Sequence, residues 1–462
     1  MKLIWINQLF MNSKILFMTS NNSIFTAVNI YFCDDVFNVI LNFLPLTDIF
    51  SIKLLNKYYE KFIDTDFMLE NYIHSKANKI IIEKHGKYLK KIIIHGNNDD
   101  NIVDNNLVAC NKLKVLDLKY GSNITDEGLK YIPNIRYLQL NDNKCITNEG
   151  LKYIQNIENL NLCKNNNITD EGLKYIQNIR EISLGFNDNI TDEGLKYIQN
   201  ISKLDLHREK DNGVDHYQYN NITDKGLKYI QNIKSLNLYN YSITDEGLKY
   251  IQNINSLSLG FNNNITDEGL KYIRNIRSLS LNHNTNITDK GLKYIPNIER
   301  IWLINSESIT DKGLKYIPNV QHICLRLSSI TNKGLKYIPN IQTFDSMLCS
   351  DISDEGLKYI INIKRLYLPS NTLITDEGLK YISNIKQLFL HYNNNITDEG
   401  LKYIPNVKTL GLHSNTKITD EGLKYIPNVK NLLLPKNTNI TNLGLNYLHN
   451  IKDINDLRKT HL

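Results

Sequence analysis

Asn134-Ile-Arg-Tyr-Leu-Gln-Leu-Asn-Asp-Asn143, followed shortly by Ile146-Thr-Asn-Glu-Gly-Leu-Lys-Tyr-Ile154, is the stretch on which the reading of this chain turns. Its first half alternates. Leu138 and Leu140 fall on one face of an extended strand and Gln139 on the other. The same Leu-x-Leu recurs at Leu160 and Leu162 and at Leu257 and Leu259. Three residues after the second leucine stands an asparagine, as at Asn143, Asn165, Asn187, Asn262, Asn284, Asn393 and Asn415. There the chain is expected to turn out of the strand, with the buried amide satisfying backbone groups of adjacent coils. The second half reads as a short helix. In the usual Ile-Thr-Asp-Glu-Gly form, as at Thr125-Asp126, either Thr or Asp can cap it, and the acidic residues that follow suit the positive N-terminal end. Leu151 and Ile154, three apart, share the inner face. Where proline follows, as at Pro133, it is expected to end the helix.

Gly-Leu-Lys-Tyr-Ile recurs unchanged from Gly128 to Ile426, and a degenerate copy begins at Gly444. Successive glycines are 21 or 22 residues apart, except for a step of 32 between Gly194 and Gly226. One unit cannot bury its own leucines, so neighbours must stack. One strand and one short helix per period resemble the leucine-rich repeat. The resemblance implies an α/β solenoid, with a parallel sheet on the concave face and short helices on the convex face. Irregularities are expected at Ser346, which occupies a leucine slot, and in the insertion around His207–His216.

Residues 31–75 obey a different rule. Val36, Ile40, Leu41 and Leu44 recur at helical spacing behind Asp34 and Asp35, and Pro45 closes that helix. Ile49, Ile52 and Leu55 line a second helix, and Tyr59, Phe62 and Ile63 extend into a third. The run from Asp34 to Tyr59 resembles an F-box, whose helices hold the Skp-type adaptor of a cullin-RING ubiquitin ligase. Val36, Ile40, Leu44, Pro45, Asp48, Leu55 and Tyr59 fall on the recurrent positions of that family. Departures stand at Phe32-Cys33, at Asn56 and at Tyr59, where the family usually carries Leu-Pro, Cys and Trp. The resemblance implies adaptor and cullin core as partners and a place in the cytoplasm or nucleus. The chain therefore divides into an N-terminal segment (1–30), an F-box-like three-helix segment (31–75), a degenerate capping repeat (76–112), the repeats (113–442) and a C-terminal cap (443–462).

Bulk chemistry excludes more than it assigns. Fifty-four basic residues sit among 48 acidic ones, a net of +6, without the clustered basic patch of a nucleic-acid binder. Six scattered cysteines form no Cys-x-x-Cys pair, so free thiols are expected, with neither a disulfide framework nor a metal site. No apolar run suffices for a membrane span, and the first thirty residues are too interrupted for a secretion signal. Heavy use of Asn, Ile, Lys and Tyr beside only three alanines predicts an AT-rich gene, as in some protists or large DNA viruses. No nucleophile–base pair or phosphate loop emerges, so neither catalysis nor a cofactor is expected.

A binding face is legible in the outward strand positions. Early coils present Asn159, Ser183, Ser256 and Ser278; later ones present Arg300, Trp302, His322, Arg326, Arg365, Tyr367, Phe389, His391 and His413. Trp, Tyr and Arg on one exposed sheet are the residue types enriched in binding hot spots. The lysines from Lys130 to Lys424 are expected to pair locally with the acidic residues three and four positions earlier, and the tyrosines beside them to stack between coils. Two functions compete. One is target recruitment for a ubiquitin ligase; the other is a pure interaction scaffold whose front helices cap the array.

Overall fold

The computed structural model describes residues 68–69, 82, 86–94 and, between 102 and 456, all but 119–122, 208–220, 240–241, 261, 282–283, 304–306, 326–329, 346–350, 369–370, 412–414, 435–438 and 452. The F-box-like residues Val36 to Tyr59, the candidates Arg326 and His413, Ser346 and most of the inserted loop lie outside the described residues.

Residues 66–462 form one unit. Among the described residues its sheet holds eighteen strands. Each strand pairs in parallel with the next in sequence, from Met68–Leu69 on Lys91–Ile92 to Asn431–Leu434 on Asp453–Asp456. Between strands the chain makes one turn of α-helix, as at Asp126–Leu129 or Asp245–Leu248. Leucines and isoleucines fill the space between the two layers. In one coil Ile135, Leu138, Leu140, Ile146, Leu151 and Ile154 are all buried. Truncating any of these to alanine would cost about 2–5 kcal/mol.

The asparagine turn is built as expected. Asn143 Nδ2 donates to the Ile124 carbonyl of the coil before it at 2.8 Å, and its Oδ1 accepts from Cys145 and Ile146 N–H. Asn187 also donates to the Asn165 carbonyl at 2.9 Å, which threads successive turns together. The threonine cap is equally regular, with Thr125 Oγ1 accepting from Glu127 N–H.

Proline does not end the helices. The helix stops at Leu129 ahead of Pro133 and equally at Leu151, where Gln155 takes the proline's place. Three-residue turns through Lys130, Tyr131 and Ile132 already close the helix in both cases.

The aspartates also depart from expectation. Asp126 does not pair with Lys130. Its carboxylate reaches into the next coil, accepting from Thr147 N–H at 2.8 Å and from Thr147 Oγ1 at 2.6 Å. This clasp repeats from Asp104–Thr125 to Asp420–Thr441. Two junctions use an amide instead. Asn148 Oδ1 accepts from Thr169 N–H while its Nδ2 donates to the hydroxyl, and Asn332 treats Ser353 likewise. At both of these helices the side-chain cap bond is missing, since the hydroxyl now accepts from the amide.

The clasp explains the unchanged glycine. A Cβ on Gly150 would fall 3.0 Å from Asp126 Cγ and closer still to its oxygen. The long step in the period respects the clasp too. Asp192 holds Thr223 across the insertion, and Lys203–Asp205 still pairs in register with Ser235–Asn237. The stack continues in register from one side of the insertion to the other.

Candidate functional site: the outward sheet face

Alternation sends the odd strand positions out of the sheet, and parallel register aligns them in columns. One column runs Arg300, His322, Thr343, Arg365, Gln387, Thr409; the next runs Trp302, Cys324, Asp345, Tyr367, Phe389, Gly411. Column neighbours stand about 4.8 Å apart, so Trp302 and Tyr367 are roughly 14 Å from each other. The sequence-derived set thus forms two patches. Trp302, Arg300 and His322 make one, and Arg365, Tyr367, Phe389 and His391 make the other. Buried Cys324 and half-buried Asp345 lie between them.

The second patch is an interlocked cluster. Tyr367 lies 5.5 Å from Phe389 and 5.9 Å from His391, and Phe389 and His391 are 6.1 Å apart, all tilted or edge-on. Such geometries are favourable for aromatic pairs. The Arg365 guanidinium sits 5.8 Å from the Phe389 ring centre. Phe389 occupies space that Gly411 leaves open, since a Cβ there would meet the ring at 2.7 Å. Tyr392 follows His391 with a left-handed φ of 62° and is 65 % exposed. The same turn recurs at Asp142, Lys164 and Phe186, so the conformation belongs to the repeat; of these four described residues Tyr392 carries the exposed ring, Phe186 being half-buried.

In the first patch, burial holds the His322 imidazole below its ordinary pKa, and the Arg300 charge adds to that effect. At neutral pH its positive charge therefore comes from Arg300.

On the helix side, wherever a glutamate stands three residues before it, the lysine bonds to that glutamate, as Lys130 does to Glu127 at 2.5 Å; Lys225 takes the glutamate's place ahead of Lys228. The Lys130 ammonium also lies 5.2 Å from the Tyr153 ring centre of the next coil. The tyrosines thus meet lysines rather than one another. In three successive coils lysine replaces the glutamate, at Lys290, Lys312 and Lys333. There Lys293, Lys315 and Lys336 turn back onto the tyrosines of their own coils, at 4.8, 4.8 and 4.9 Å.

Among the described residues no group of side chains is arranged to hold a metal ion, and no helix is long and apolar enough to cross a membrane. The described cysteines Cys110, Cys145, Cys163 and Cys324 are all free thiols. Burial pushes the Cys110 thiol up to about 12.

Comparison with known proteins bears on the repeats. Residues 109–132, 131–154, 155–176, 175–198, 250–273 and 272–295 each match the family described as Leucine Rich repeat. These units are leucine-rich repeats. The stacked sheet and one-turn helices form a leucine-rich-repeat solenoid. No curated protein matches the sequence. Similar solved structures include a leucine-rich-repeat protein of Leptospira interrogans, 18% identical, with TM-score 0.43, covering 80% of this chain and 90% of its own. An internalin of Listeria monocytogenes is 19% identical, with TM-score 0.36, covering 81% and 88%. The TLR13–ssRNA13 complex is 15% identical, with TM-score 0.47, covering 76% of this chain and 60% of its own.

Proposed function

We propose that this protein recruits a target protein to a cullin-RING ubiquitin ligase. In this reading residues 34–59 hold the Skp-type adaptor, through Val36, Ile40, Leu44, Pro45, Asp48, Leu55 and Tyr59. The outward sheet face from Arg300 to His413 holds the target. Ubiquitin is transferred by other subunits, so the chain itself needs no catalytic group or cofactor, and it works in the cytoplasm or nucleus.

The observation that carries the target-binding half is the Arg365–Tyr367–Phe389–His391 cluster. Aromatic side chains half-exposed on a rigid sheet lose little freedom on binding, and the arginine supplies a charged anchor beside them. The early outward positions, such as Asn159, Ser183, Ser256 and Ser278, offer no comparable anchor. Support for the adaptor half comes from the F-box-like run of sequence ahead of the repeats.

Co-purification with a Skp-type adaptor tests the ligase role, comparing the native chain with a Leu44→Ala, Pro45→Ala double substitution. Capture that disappears in the variant is the expected result. No capture by folded native protein would remove the ligase role and leave an interaction scaffold, the second reading, which the repeats support without any contribution from residues 34–59.

A further inference from the structure

Just before each strand, where the chain turns into the sheet, one exposed or half-exposed position recurs in register. Early in the array this column is mixed, with Lys114, Arg180 and Lys234 interrupted by the neutral Ser202 and Asn255 and by two acidic residues. Arg136 is ion-paired with Glu158 of the next coil, and Arg277 with Glu299. Gln321 and Gln342 follow, and then the column becomes uniformly basic: Lys364, Lys386, Lys408 and Lys430. Backbone bonds fix their alignment, since Lys386 N–H donates to the Lys364 carbonyl, Lys408 to Lys386 and Lys430 to Lys408, each at 2.8 Å. No ion pair to these four ammonium groups occurs among the described residues.

The fold gains nothing from this arrangement. Like charges in register on neighbouring strands are destabilising. The column begins at the coil that carries Arg365 and Tyr367, and it runs beside Phe389. Three residues separate Lys386 from Phe389 along the strand, roughly 10 Å. A line of cations about 15 Å long therefore runs across the leading ends of the strands that carry the aromatic cluster.

We infer that this part of the sheet binds an acidic segment of a partner polypeptide, its carboxylates on the lysine column and an apolar side chain against Tyr367 and Phe389. The inference rests on the target-binding reading above and adds the chemistry of the target. A nucleic acid fits less well. Base stacking needs open ring faces, whereas here Arg365 lies over Phe389 and the three rings meet one another edge-on or tilted.

The test uses the full chain and a short fluorescent peptide of alternating Glu and Phe, with a Lys–Phe peptide and a single-stranded RNA of similar length as controls. Three variants are compared: the fourfold Lys364→Gln, Lys386→Gln, Lys408→Gln, Lys430→Gln; Tyr367→Ala with Phe389→Ala; and Lys293→Gln, Lys315→Gln, Lys336→Gln on the helix side. The Glu–Phe peptide should bind the native chain, more weakly as salt rises. The fourfold variant should lose about tenfold in affinity and the helix-side variant almost nothing. Circular dichroism guards against unfolding, and relief of repulsion should leave the fourfold variant at least as stable as the native chain. Loss with the aromatic variant alone would refute the acidic-segment inference and leave the sheet-face reading standing. Insensitivity to both sheet-face variants would refute both. RNA bound more tightly than peptide, with the same lysine dependence, would overturn the polypeptide assignment.

Discussion

Gly269→Ala provides the sharpest test of how the coils are joined. The new methyl would sit 2.8 Å from Asp245 Cγ and closer to its oxygen, so the carboxylate must leave. Asp245 accepts from Thr266 N–H at 2.9 Å and from its hydroxyl at 2.6 Å. Hydrogen bonds to a charged group contribute about 1.5–3 kcal/mol each, and the junction is half-exposed, so losing both should cost about 2–4 kcal/mol. Asp245→Ala removes the same bonds and should cost about as much. The double variant decides the matter. With Asp245 already gone, the methyl enters vacated space, and alanine in place of glycine returns about 0.5–1 kcal/mol of helix propensity. The double variant should therefore be no less stable than Asp245→Ala alone, a coupling of about 2–4 kcal/mol. Urea unfolding measures the total, and hydrogen exchange across residues 242–270 locates it. Costs that simply add, to within about 0.5 kcal/mol, would refute the clasp as the reason for the glycine.

Asp245→Asn should keep the junction, as Asn148 and Asn332 do, and cost only the threonine cap bond, about 1 kcal/mol; loss comparable to Asp245→Ala in urea would contradict this. Gly411→Ala should leave overall stability within about 1 kcal/mol, because a ring can swing aside, yet disperse the Phe389 cluster; near-UV dichroism should change and target affinity fall. The Asp420 carboxyl is held below its ordinary pKa, chiefly by the hydrogen bond from the Thr441 hydroxyl. A depressed carboxylate stabilises the fold above its unfolded pKa and loses that contribution as pH falls through the folded value. Exchange protection around Thr441 should therefore hold at pH 7 and 5 and fail only below the usual carboxylate range; early loss near pH 5 would contradict the assignment.

The period, the inward leucines and isoleucines and the asparagine turns were legible in the sequence, because each recurs at a fixed place in the unit, whereas the cap lay open between threonine and aspartate. The aspartate was misread because helix geometry places Lys130 within its reach, while its actual partner, Thr147, is 21 residues away and adjacent only after stacking. A signal was present: Asp or Asn stands two residues before every Gly-Leu-Lys-Tyr-Ile, even where the glutamate between them changes to lysine. Arg365, Tyr367, Phe389 and His391 were found by alternation alone. That they touch, that Trp302 stands apart, and that Gly411 makes room for Phe389 required the register between strands. Alternation does not reveal the lysine column, because it lies just outside the Leu-x-Leu strand.

The clasp also makes the coils interchangeable. Nearly every junction joins an aspartate acceptor to a threonine donor, with asparagine standing in at two, and the Asp192–Thr223 junction closes as well over 31 residues as others do over 20 or 21. Loss or gain of one whole coil would leave every remaining junction matched. Such an array can change length by unequal exchange at the DNA level without refolding, and each change slides the outward columns past one another by one strand. Alleles differing by multiples of one coil would then vary in what they recognise while remaining equally well joined.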